Sequence, residues 1–281
     1  MNVIAAVDGS KYGRWVVQWI GAIPFAKRPA VTAVHVVDLA ALRAPFVPQP
    51  AMIGYEGYLQ AEKRRLENRA KKVTAQTAGL FKALTLRGTV TVEKGHVAPT
   101  ILAHAGGRVG LVVLGNRGRG NFDRLFLGSV SSQVALHAPC SILVVKQPPR
   151  PIRRILLAVD GSKTADRALR FLLRELKPAK TGEIEVMVLY VLPPFAYSDV
   201  ALAGINLAHR DADRLEAAGY CVHEAYRPGD PADEIVAAVK TWRADLVVVG
   251  AKGMSAVTRF FLGSVSSKLT RHCSCSVLVV R

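Results

Sequence analysis

No run of apolar residues in this 281-residue chain approaches the roughly 18 that a membrane-crossing helix needs. Cysteine is scarce: Cys140, Cys221, Cys273 and Cys275 are too few and too clustered for a disulfide framework, and reduced thiols of a cytoplasm are the simpler reading. The first residues read as a strand and a turn, with no basic leader or small-residue cleavage site, so a cytoplasmic protein without a signal peptide is expected. Two phosphate-binding fingerprints are missing. There is no Gly-x4-Gly-Lys-Ser/Thr loop, and no Gly-x-Gly-x-x-Gly follows the first strand. Aromatics make up only 7% of the chain, which leaves little for a base-stacking platform. Acidic residues are outnumbered 38 to 21, for a net charge of +17.

What is present is a globular composition, half apolar and about a fifth charged. The basic excess favours polyanions such as nucleic acid or nucleotide phosphates. It is uneven, with net +12 on residues 1–147 and net +5 on residues 148–281. Much of it lies in Lys63, Arg64, Arg65, Arg69, Lys71 and Lys72, which read as one solvated helix face.

The chain repeats itself, and the repeat organises everything else. Ile4–Ser10 returns as Leu156–Ser162, Leu125–Ser132 as Phe260–Ser267, and Ser141–Lys146 as Ser276–Arg281. The offset falls from 152 to 135, so the first copy holds 17 extra residues in its middle. Gln147-Pro148-Pro149-Arg150-Pro151 is a stiff linker, giving domains 1–147 and 148–281.

Within each copy, short β-branched runs alternate with helical patterns. In the first copy the strands are Ile4–Val7, Val31–Val37, Thr89–Val92, Leu111–Leu114 and Ile142–Val145. Their near-continuous apolar character fits a parallel sheet buried on both faces. Trp15 and Trp19 stand four apart on the first helix, Leu66, Ala70 and Val73 mark the second, and Pro99 opens the third. The pattern predicts two doubly wound α/β domains with right-handed crossovers.

The sharpest constellation follows the fourth strand. Gly115-x-x-Gly118, nine residues, then Gly128-Ser129 is matched by Gly250-x-x-Gly253, nine residues, then Gly263-Ser264. Glycines at a strand end let backbone N–H groups approach a ligand. The helix openings Ser129-Val130-Ser131 and Ser264-Val265-Ser266 add free N–H donors and a partial positive charge, with the Ser129 and Ser131 hydroxyls as further donors, hence a phosphate site. Asp8 and Asp160 end the first strands, where open α/β sheets bind ligands. Such a carboxylate could bond ribose hydroxyls, an adenine amine or a magnesium ion. Alternatively it forms an Asx turn ahead of Ser10 and Ser162, the N-caps of the next helices. A metal site at His272, Cys273 and Cys275 has only three clustered ligands where zinc wants four, so Cys140 and Cys275 read as small packing residues. His35, matched by Tyr190, reads as strand core.

On these residues the sequence resembles the universal stress protein family in its tandem two-domain form, over nearly the whole chain. The resemblance implies a five-stranded parallel sheet in the order 3-2-1-4-5 in each domain, with ATP as ligand. It places Asp8 and Asp160 against the nucleoside, with Ser10 and Ser162 beside them in the ATP site, Val36 and Val191 on the adenine, and Arg117 and Lys252 near the phosphates. Gly229-Asp230-Pro231 matches the family pattern, whereas the first copy has Gly95-His96-Val97 and inserts a Pro-rich segment at 39–55, read as a lid or a surface loop. The closing strands Ile142–Val145 and Val277–Val280 are implied to pair as an intramolecular pseudo-dimer, so a further homodimer would use another surface.

The expected function is therefore ATP binding in a regulatory stress response, with little or no turnover, since no duplicated base, arginine finger or metal carboxylate pair completes a phosphoryl-transfer site. A slow ATPase or nucleotide-transfer enzyme on the same fold is one alternative. A weak, non-specific nucleic-acid binder is the other.

Overall fold

The computed structural model describes residues 1–38, 55–118, 127–192, 198–253 and 262–281. The insertion at 39–54 and most of each nine-residue excursion lie outside the described residues.

The first copy runs β1 (Asn2–Ala6), α1 (Lys11–Ala22), β2 (Ala30–Asp38), α2 (Tyr55–Ala83), β3 (Arg87–Gly95), α3 (Val97–His104), β4 (Val109–Gly115), α4 (Ser129–His137) and β5 (Ser141–Val145). The second repeats it as β6 (Arg154–Val159), α5 (Lys163–Glu175), β7 (Glu185–Leu192), α6 (Ser198–Ala217), β8 (Cys221–Pro228), α7 (Pro231–Trp242), β9 (Leu246–Gly250), α8 (Ser264–His272) and β10 (Ser276–Val280). The third helix starts at Val97, two residues before the expected Pro99. Proline is tolerated inside a first turn, because its missing N–H would have had no partner there.

All ten strands form one sheet, ordered β3-β2-β1-β4-β5-β10-β9-β6-β7-β8. Each half therefore has the order 3-2-1-4-5 and is parallel within itself. The halves join where β5 and β10 pair antiparallel, with Val144 opposite Val277, Leu143 opposite Leu278 and Ile142 opposite Val279. Every residue of β5 and β10 is buried, which explains their unbroken apolar runs.

The core lies in two layers, one on each face of the sheet. Alternate strand residues such as Val3, Ala5, Ile155 and Leu157 face α1, α2, α5 and α6. Ile4, Val112, Leu156 and Val247 face α3, α4, α7 and α8. Of the tryptophan pair, Trp19 is fully buried, and its indole N–H donates to the Gln147 carbonyl at 2.8 Å, tying α1 to the linker. Trp15 is partly exposed, edge-on to Tyr12 at 5.0 Å.

The seam carries a reciprocal pair of cations. Arg281 Nη2 donates to the carbonyls of Ala135 (2.8 Å) and Leu136 (3.1 Å) at the end of α4. Lys146 Nζ donates to the carbonyls of Cys273 (2.7 Å) and Leu269 (3.4 Å) at the end of α8. A cation at a helix C-terminus meets unsatisfied carbonyls and the negative end of the dipole. Each copy thus caps the last helix of the other.

Candidate functional site

In the first copy the carboxyl ends of β1, β2 and β4 open on a cavity of about 810 Å³. This falls within the usual size of small-molecule sites. Three walls can be distinguished. Val34, Val36, Val97 and Ile101 make an apolar wall at the β2 end. Asp8 stands at the middle, beyond β1. Gly115, Arg117, Gly118 and the start of α4 close the β4 end.

The Asx-turn reading of Asp8 holds, and its two oxygens face different neighbours. Oδ1 accepts the Ser10 N–H at 2.9 Å, closing an Asx turn. Oδ2 is 3.0 Å from where a Cβ on Gly118 would stand, so carboxylate and glycine turn are in contact. Asp160 repeats the arrangement, with Ser162 N at 2.9 Å and the Gly253 Cβ position 3.1 Å from Oδ2.

The glycines divide the same way. Gly115 and Gly250 pass close under the first helix of their repeat: a Cβ would stand 2.6 Å from Tyr12 Cβ in one and 2.6 Å from the Thr164 carbonyl carbon in the other. Gly118 and Gly253 meet only the aspartate. Gly128 N donates to the Asn116 carbonyl at 2.8 Å and Ser132 N to the Gly128 carbonyl at 2.8 Å. Helix geometry thus leaves the N–H groups of Ser129, Val130 and Ser131, all lining the cavity, without an intrahelical partner. At α8 the same pattern recurs, with Gly263 N on the Ala251 carbonyl (2.7 Å) and Ser267 N on the Gly263 carbonyl (2.9 Å), ahead of Ser264, Val265 and Ser266.

Several expected donors have other tasks. Ser10 does not line the cavity, and its Oγ accepts the Gly13 N–H at 3.1 Å as the α1 N-cap. Ser162 caps α5 through Ala165 N at 3.1 Å. Ser131 lines the cavity, but its hydroxyl donates to the Gly115 carbonyl at 2.7 Å. Ser266 is buried and donates to the Ala251 carbonyl at 2.9 Å. These hydroxyls brace the turns. The backbone N–H groups at the start of α4 remain open to the cavity, which Arg117 and Ser129 also line.

Arg69 departs from the expected solvated face. Lys63, Arg64, Arg65, Lys71 and Lys72 are exposed, but Arg69 turns inward and lines the cavity. Its Nη2 donates to the Asp8 carbonyl at 3.1 Å. The signal was available in the sequence, since Arg69 stands three residues after Leu66 and four before Val73 on the inward stripe. Gly13 is a second missed residue: a Cβ there would stand 2.7 Å from Asp8 Oδ1. Glycine inside a helix disfavours that helix and asks for such a reason. His35 is buried as expected, with Nδ1 donating to the Val7 carbonyl at 2.9 Å.

In the second copy Val191 is buried on β7 like Val36 on β2, and the turn is pinned differently. The Thr164 hydroxyl donates to the Lys252 carbonyl, and Lys252 N reaches Thr164 Oγ1 at 3.3 Å. The position of Thr164 is Tyr12 in the first copy. The cysteines are free thiols, with those of Cys273 and Cys275 pushed up to about 11 and about 12 by burial, which makes them inert packing groups.

Comparison with known proteins places this geometry. A universal stress protein of Mycobacterium tuberculosis is 26% identical over all of this chain and 95% of its own length. One from Thermus aquaticus is 33% identical over 52% of this chain and 98% of its own. The crystal structure of a universal stress protein from Archaeoglobus fulgidus superposes with a TM-score of 0.72 at 20% identity, covering 100% of this chain and 98% of the other. The model of the universal stress protein family matches twice, at residues 1–146 and 151–281. With the family's model matched end to end in both halves, the chain belongs to the universal stress protein family.

Proposed function

We propose that each copy binds an adenine nucleotide, ATP, and that the protein acts as a binding regulator rather than a rapid enzyme. The observation that carries this reading is the first cavity, where an apolar wall, a carboxylate and a row of helix-start N–H groups lie in sequence across β2, β1 and β4. The apolar wall with Val36 suits a flat base. Asp8 suits the sugar, and would also hold a magnesium ion arriving with the triphosphate. The Gly115–Gly118 turn, Arg117 and the first turn of α4 suit phosphates, because N–H groups at a helix start attract anions. Val191, Asp160, Gly250, Lys252, Gly253, Gly263 and Ser264 are the matching positions of the second copy.

Calorimetric titration of the full chain with ATP tests the reading. Two equivalents are expected, with Gly118→Val and Gly253→Val each removing about one, because a side chain there drives against the aspartate. Absence of binding to the unaltered protein would sink the proposal. Hydrolysis at ~1–100 per second, as in an ordinary kinase, with loss in Asp8→Ala, would overturn the regulatory reading.

The two copies further act as an intramolecular pseudo-dimer built on the β5–β10 ladder, a reading supported by the buried seam and its reciprocal caps. Val144→Pro removes a ladder donor. It should separate the halves in small-angle scattering, and halves that stay docked with undiminished stability would refute the reading.

A further inference from the structure

Resting on the nucleotide reading of the first cavity, we infer that Arg69 contacts the sugar of the ligand and makes the two copies unequal in affinity. Arg69 lines that cavity from α2. One of its N–H groups is engaged by the Asp8 carbonyl at 3.1 Å. Its Nε is buried and has no hydrogen-bond partner among the described residues. A guanidinium has five donors and no way to become neutral. Buried donors left unmatched are costly, and a ligand acceptor is a direct way to satisfy them.

The strand order fixes which part of the ligand Arg69 meets. The apolar wall lies at β2 and the anion-binding turn at β4, with β1 between them. Arg69 is held at Asp8, on the end of β1. It therefore faces the middle of a ligand laid from base to phosphate, where the sugar hydroxyls are. Asp8 and Arg69 then form an acceptor and donor pair suited to a cis-diol.

The corresponding position on α6 of the second copy carries no cation. Val73 on α2 and Leu207 on α6 are the side chains that a Cβ on Gly9 and on Gly161 would meet, respectively, so these positions correspond. Four residues before them stand Arg69 and Ala203. The diol of a ligand in the second copy meets Asp160 without a facing guanidinium from this helix.

The test titrates the full chain with ATP and with 2′,3′-dideoxy-ATP, alongside a thermal melt. The unaltered protein should show a tighter and a weaker site, the tighter one discriminating more strongly against the dideoxy ligand. Arg69→Met, which keeps the apolar stem, should weaken ATP at the tighter site by about 10- to 100-fold, the scale of a charge-assisted hydrogen bond. It should also lower discrimination there to the level that the aspartate alone supports. Arg69→Ala should do the same, and Arg65→Ala, on the exposed face, should leave both sites unchanged. If Arg69→Met discriminates against the dideoxy ligand as the unaltered protein does, the sugar contact is overturned. If it weakens both ligands equally and lowers the melting temperature, Arg69 merely props the Asp8 carbonyl. If the unaltered protein binds neither ligand, the nucleotide reading itself fails, and the inference with it.

Discussion

The two copies share a backbone and differ in what fills it. Both place an aspartate against the second glycine of the turn, with a Cβ-to-Oδ2 distance of 3.0 Å in one and 3.1 Å in the other. The side walls are not shared. Gly13, Arg69 and His35 surround Asp8 in the first copy, and the corresponding residues of the second are Ala165, Ala203 and Tyr190. Tyr190 is accommodated by Gly204 on α6, where the first copy has Ala70. The repeated signature therefore specifies the turn and the helix start, and the residues outside it differ between the copies.

The largest effect expected from breaking this comparison is at the first glycine of the turn. Gly250→Val forces a side chain against the backbone of Thr164 and Ala165, at 2.6 and 2.7 Å, and should cost about 3 kcal/mol or more. Gly115→Val drives against the Tyr12 Cβ at 2.6 Å, an atom that the backbone fixes, and the Arg117 carbonyl oxygen at 3.0 Å, and should cost a similar amount. Urea midpoints check both, and an undiminished midpoint in either variant would refute the close approach of turn and helix there.

A somewhat smaller effect separates the helix walls. Gly204→Ala would bring a methyl within 2.1 Å of the Tyr190 ring and should cost about 2 kcal/mol. Adding Tyr190→His should recover most of the loss. A cost that persists in the double variant would show that the ring is not the cause.

The seam cations offer a comparison in pH. Burial lowers the Lys146 ammonium from 10.5 to about 8. The unfolded chain therefore holds the extra proton between these values, and Lys146's contribution to stability rises as pH climbs from 8 towards 10.5. The stability of the unaltered protein relative to Lys146→Met should increase by about 1–2 kcal/mol over that window. Arg281→Met should show no such slope, because a guanidinium stays charged. A flat difference for Lys146→Met would contradict the buried-amine account.

The smallest contrast is at the helix after the third strand. Asp230 caps α7 through the N–H groups of Ala232 and Asp233, both at 3.1 Å, whereas His96 makes no side-chain cap on α3. Asp230→Ala should lose about 1 kcal/mol, and His96→Asp should gain a similar or smaller amount. The Asp233 N–H, with Lys268 assisting, holds the Asp230 carboxyl below its usual range. Its contribution is thus present above that range and lost as the solution is acidified through the lowered value. Melting temperatures at neutral and acid pH check both statements.

The fold was legible because its signals are local and doubled. Two copies of strand, glycine turn and helix start leave little freedom in strand order once the resemblance supplies it. The site was legible only in its backbone. Ser131 carries the right atom in the right neighbourhood, but its one proton goes to the Gly115 carbonyl, and the Ser10 Oγ is taken up by accepting the Gly13 N–H. Arg69 was hidden among exposed cations of the same helix. A run of basic residues reads as solvated until the stripe through Leu66, Ala70 and Val73 is extended by one position. Gly13 was hidden because a glycine's purpose is the atom that its missing Cβ would displace, here an oxygen of Asp8.

The β5–β10 ladder and its crossed caps have a thermodynamic consequence. Neither half can lose its last strand without exposing the last strand of the other, nor fray its last helix without releasing a cation from across the seam. The cooperative unit is then the whole chain, and heat should dissolve both halves in a single calorimetric transition whose enthalpy matches its van't Hoff value. By the same logic, proteolytic nicking within Gln147–Pro151 should leave two fragments that remain complementary. The linker contributes effective concentration, on the mM scale for a short tether, while the docking energy resides in the strands and caps.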